Sequence, residues 1–129
     1  MREKMKSDIR NSGHIEDMVK RFYEKVFDDD LLGPIFKNVA KVDLEQHLPV
    51  MNKFWGMLLL GQKEYQGDPF EAHRELNDLT TLDQPMFDRW NSLFCRTVDE
   101  LYDGPTAERA KAMAASISDG LLMKFGEQG

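Results

Sequence analysis

Apolar residues in this chain recur every three or four positions in four separate stretches, and nowhere do they alternate with period two for long enough to build a strand. That pattern predicts an all-α fold. Ile15, Met18, Val19, Phe22, Val26 and Phe27 mark the first helix, with Asn11 or Ser12 as its cap. The string DDDLLGPIF should end it, Gly33-Pro34 stopping the helix and feeding a short turn that holds Phe36. A second helix is expected after Asp43, with Leu44, Met51, Phe54, Trp55, Leu58 and Leu59 on its apolar face and Gly61 at its end. DQPMFDRW starts a third, carrying Phe87, Trp90, Phe94, Val98 and Leu101. A fourth runs from about Thr106, with Ala110, Met113, Ala114, Ile117, Leu121 and Phe125 facing inward.

Between the second and third helices the chain is polar over Gln62–Gly67 and again over Asn77–Gln84. The short string GDPF between them opens a helical turn bearing His73, with Pro69 where a missing amide hydrogen is harmless. A plain four-helix bundle has no need of that isolated turn, so something should hold it in place. At 129 residues, without repeats or linkers, the chain is expected to be one domain.

Charge and composition remove several classes of function. The net charge of −6 comes from 17 basic and 23 acidic residues, with no basic run to follow a phosphate backbone or an anionic membrane, so nucleic acid is not an expected partner. The longest apolar stretch, Phe54 to Gly61, is far short of the roughly 20 residues that span a bilayer. The first eighteen residues are charged throughout, unlike a secretory signal, and the single cysteine, Cys95, can form no internal disulfide. A cytoplasmic setting is expected. Cys95 itself reads as a small buried core residue rather than a thiolate ligand.

Three histidines occur. His14 precedes the first helical turn and reads as a solvated surface residue. His47 and His73 lie on different helices and form neither an i, i+4 pair nor an HExxH zinc motif. Taken singly, each is a surface or satisfied core histidine.

Their company is more informative. The strings FYEKVFDDDLLGPIF, H-x3-M-x2-FW, GDPFEAHREL and FDRWNSLF occur in that order, and the chain from Ile15 to Phe125 resembles the truncated haemoglobins, specifically their third group. The absence of any Gly-Gly pair suits that group. The resemblance implies a two-over-two helical sandwich around haem b, iron protoporphyrin IX. It implies His73 as proximal ligand of the iron and Phe36 as the aromatic against the porphyrin. Phe54, Trp55, Leu58, Phe87 and Trp90 would supply the apolar wall, a role that coincides with ordinary core packing.

On the ligand-binding side the resemblance points to Tyr23, His47, Met51 and Trp90. A diatomic ligand that gains negative charge as it binds is stabilised by a buried phenol or indole donor within ~3 Å. Pro49 complicates His47, because a proline in a helix interior loses a hydrogen bond and clashes with the preceding turn, at ~3 kcal/mol. The helix either begins near Pro49 or bends there, and His47 is offered as a gate. Arg74 and Lys53 are candidates for the haem propionates by position. The implied activity is reversible binding of O2 and similar ligands, with nitric oxide detoxification or peroxide chemistry as extensions that need a separate reductase. Two other readings compete: a haem-free helical interaction module, and a non-haem metal enzyme built on His47, His73 and a carboxylate such as Glu71 or Asp43.

Overall fold

The computed structural model describes residues 6–39, 43–63 and 83–126, and all regular structure among them is helical. Helix α1 spans Ser12–Asp28 and begins where the sequence places it, the Asn11 side chain accepting the His14 amide at 3.0 Å. Its buried face is Ile15, Met18, Val19, Phe22, Tyr23 and Val26. It stops earlier than the Gly-Pro pair suggests. Asp29, in extended backbone, ends it, and Gly33-Pro34 instead lies inside a one-turn helix, α2 (Leu32–Pro34), which runs into a π-helical turn over Ile35–Val39. Gly33 serves a close approach there: its amide reaches the Asp29 carbonyl at 2.8 Å, and a Cβ would stand 2.6 Å from the Phe27 carbonyl oxygen.

Helix α3 spans Leu44–Leu60, with the Asp43 carboxylate accepting the Glu45 amide and Gly61 closing the other end in left-handed backbone at φ 72°. It does not begin near Pro49; it starts five residues before it and continues through it, with the exposed proline on its outer side. Helix α4 (Gln84–Leu101) is capped by Asp83 with Pro85 in its first turn, and α5 (Pro105–Gly126) begins on a proline of its own. The side chain of Phe125, assigned inward, lies outside those described, as does the turn carrying His73.

Packing sorts the helices into two pairs. α1 lies on α3, α4 lies on α5, and α1 also packs on α4. α3 and α4 do not pack along each other; their aromatic rings reach across instead, Trp55 lying nearly parallel to Phe94 at 4.7 Å between centroids. The core therefore sits on α1, and the link from α3 to α4 runs through rings rather than along the backbones.

The segment before α1 is part of this core, which periodicity did not indicate. Ile9 is buried, and Asp8 accepts the Thr106 and Ala107 amides at 2.9 and 2.8 Å, capping α5 from the other end of the sequence. The Tyr102 hydroxyl donates to the His14 carbonyl at 2.8 Å. His14 is accordingly half-buried, not simply solvated: its Nδ1 accepts the Arg10 amide and its ring tilts over Tyr102.

Candidate functional site

Tyr23 leaves the inner face of α1 one position after Phe22, and only 6% of it is exposed. His47 sits in the first turns of α3, and its Nε2 lies 2.9 Å from the Tyr23 hydroxyl, the rings meeting edge to face at 4.9 Å. Starting α3 at Leu44 is what brings the imidazole there. Burial pushes the Tyr23 phenol well above its ordinary value, so it stays a neutral O–H group throughout the physiological range. Which partner donates in this bond follows from the imidazole tautomer. When the histidine donates from Nε2, the phenol proton is free for a third group.

Phe36, half-buried on the π-helical turn, faces Tyr23 at 6.1 Å and Phe27 at 6.2 Å. A π-turn carries its side chains at a spacing that an α-helix lacks, and such turns cluster at functional sites. Trp90 is half-buried on α4, nearly parallel to Phe94 at 5.9 Å and edge to face with Phe22 at 5.5 Å. Phe22 also meets Tyr23 at 5.0 Å. One continuous set of rings thus connects Tyr23, Phe36 and His47 to Trp90 and Trp55. Phe54 lies edge to face with Trp55 at 5.6 Å. Phe87 is buried, but apart from the main cluster.

The remaining assignments divide. Met51 and Leu58 pack against the core and stay half-buried. Lys53 is exposed. His73, Arg74 and Glu71 lie outside the described residues. Asp43, the carboxylate offered for a non-haem metal, is engaged in capping α3, and among the described residues no three His, Cys, Asp or Glu side chains stand together as a metal-binding group. Cys95 is half-buried rather than buried; burial first of all pushes its thiol up, which keeps it protonated.

Phe22 and Phe94 were legible as core positions but not as the rings that connect the site, because periodicity gives the face of a helix and not its neighbours. Asp29 and Arg89 carried no signal at all, although they join at 2.6 Å, Arg89 being the residue before Trp90.

These residues suit a flat, largely apolar group. Phe36, Met51, Leu58 and Trp90 come from three elements, pack against the core, and are each left half-covered, as side chains are when a further apolar surface completes their burial. Beside them the donor set is neutral, a phenol and an imidazole. Two helical pairs stacked across α1, with a histidine and a tyrosine joined at the edge of an aromatic wall, define a helical protein of the globin class. A bacterial-like globin family model matches residues 8–120. The chain is 33% identical to the group 3 truncated hemoglobin ctb of Campylobacter jejuni, in an alignment covering 95% of this chain and 98% of that one. The crystal structure of a group III truncated hemoglobin from Campylobacter jejuni superposes with a TM-score of 0.84 at 29% identity, covering 97% of this chain and 98% of the other. The chain belongs to the bacterial-like globin family, in its third group of truncated haemoglobins, and that membership implies haem binding.

Proposed function

We propose that this globin holds haem b through His73 and takes up O2, nitric oxide or a similar diatomic ligand on the side bearing Tyr23, His47, Met51 and Trp90. The observation that carries the reading is the Tyr23–His47 hydrogen bond, made by a buried phenol and a half-buried imidazole next to Phe36. When bound, the haem supplies the iron at which such a ligand is taken up. Phe36, Phe54, Trp55, Leu58, Phe87 and Trp90 give it an apolar wall, and burial accounts for most of its affinity.

The protein's own contribution on the ligand side is a set of placed donors. The Tyr23 hydroxyl, held by His47, presents its proton to a ligand that gains negative charge, and the low local dielectric strengthens that bond. His47, half-buried and hydrogen-bonded to Tyr23, is the gate of this reading. The indole N–H of Trp90 is the second donor. Nitric oxide detoxification or peroxide turnover would draw electrons from a separate reductase, in a cytoplasmic setting. No helix among the described residues is long and apolar enough to cross a membrane.

Expression with an ample haem supply tests the reading directly. A red protein with a strong Soret band is expected, and His73→Ala should weaken or abolish it. A colourless protein that refuses added hemin would put the interaction module in its place, and stoichiometric non-haem iron or zinc by elemental analysis would favour the metal enzyme. Stopped-flow mixing of the oxygenated protein with nitric oxide then separates detoxification from storage or sensing.

A further inference from the structure

We infer that Asp29 and Arg89 form a positioning pair that fixes Trp90, and hence one donor of the pocket proposed above, on which the inference rests. The Asp29 carboxylate accepts three donors: the Leu31 and Leu32 amides, each at 3.0 Å, and Arg89 at 2.6 Å. Only 8% of the Asp29 side chain is exposed, against 45% for Arg89. An ion pair between two exposed chains contributes little, but here one partner is buried and already held by two backbone amides, so it is a fixed anchor. Burial by itself raises the Asp29 carboxyl, yet those amides and the guanidinium outweigh it and hold the group below the usual carboxylate range, so it remains an anion.

Asp29 stands where three elements meet. It ends α1, which carries Tyr23. Its carboxylate accepts the Leu32 amide at the start of α2, which leads into the turn carrying Phe36. Through Arg89 it grips α4 at the residue before Trp90. Neighbouring residues of a helix project about 100° apart, so a tether on Arg89 sets the rotation of that part of α4 and with it the direction of the indole. Phe22 and Phe94 constrain two sides of the ring, but Trp90 is only half-buried. The ion pair acts on the backbone that carries the ring, which ring contacts alone do not fix.

The test uses the haem-loaded full chain labelled with 5-fluorotryptophan, whose two tryptophan resonances are assigned with Trp55→Phe. Arg89→Gln and Asp29→Asn should shift or split the Trp90 resonance while leaving that of Trp55 in place. They should broaden or split the carbon monoxide stretching band, and change oxygen dissociation by about threefold or more. Arg89→Lys, which keeps the charge, should recover most of the parent behaviour. Arg89 is largely exposed on its helix, so its two variants carry the test if Asp29→Asn folds poorly. A Trp90 resonance and stretching band unchanged in Arg89→Gln, with only a lower melting temperature, would make the pair a plain stabilising contact and overturn the inference alone. A parent chain that takes up no haem overturns the functional reading together with it.

Discussion

At the scale of single residues, the property that matters most is that Tyr23 is kept neutral. A free phenol ionises near pH 10, but burial moves Tyr23 upward, so its proton stays available across any pH at which the fold works. A hydrogen bond to a charged or charge-gaining group is worth roughly 1.5–3 kcal/mol. Tyr23→Phe should therefore raise the oxygen dissociation rate about ten- to a hundredfold, and Trp90→Phe should raise it in the same direction. Stopped-flow displacement by carbon monoxide measures both, and rates within twofold of the parent in both variants would remove these residues from the donor role. Tyr23, His47 and Trp90 could be singled out as candidates because each occupies a place in a recognisable string. Asp29 was not, since three aspartates follow one another and only the folded backbone shows which one ends α1.

Among the elements, each long helix announced its own cap except the last. Asn11, Asp43 and Asp83 stand directly before an apolar stripe, so local sequence located three helix starts. The cap of α5 is Asp8, supplied across 98 positions to Thr106, a distance no window of sequence covers. Burial alone would raise the Asp8 carboxyl, but the Thr106, Ala107 and Ile9 amides outweigh it and lower it below its ordinary value. A depressed carboxylate adds stability that is present above the unfolded value and disappears as pH falls through the lower, folded one. Asp8→Ala should cost about 1 kcal/mol at neutral pH, seen as a lower melting temperature. The gap between variant and parent should narrow in acid below about pH 4, whereas a gap independent of pH would assign the loss to packing around Ile9. Of the two expectations for Pro49, a helix start there is excluded, because a helix can run through a proline when its apolar face is anchored downstream by Phe54, Trp55 and Leu59.

For the whole molecule, the two-over-two arrangement follows from the pairing of α1 with α3 and of α4 with α5, the two pairs joined chiefly where α1 packs on α4. The four long helices and their inward faces were legible in the residue spacing; the partners came from the folded chain, because an apolar stripe does not say which other stripe it meets. A ligand that binds only the folded form stabilises it by mass action, by about 4 kcal/mol at a thousand times its dissociation constant. Calorimetry should show the melting temperature rising as hemin is added to the apo chain, and rising much less in His73→Ala. An equal rise in both would place the main attachment elsewhere.

The bond from Asp8 to the first turn of α5 also orders events during synthesis. Residues translated early carry the carboxylate, while the amides they must reach are among those made late, so the loop they close encloses most of the chain. Such a closure comes after local helix formation and is entropically costly. On the ribosome, α1 through α4 can collapse around Phe22 and Phe94 while α5 is still emerging, and the clasp between Asp8 and Ala107 is then the stitch that seals the nascent globin.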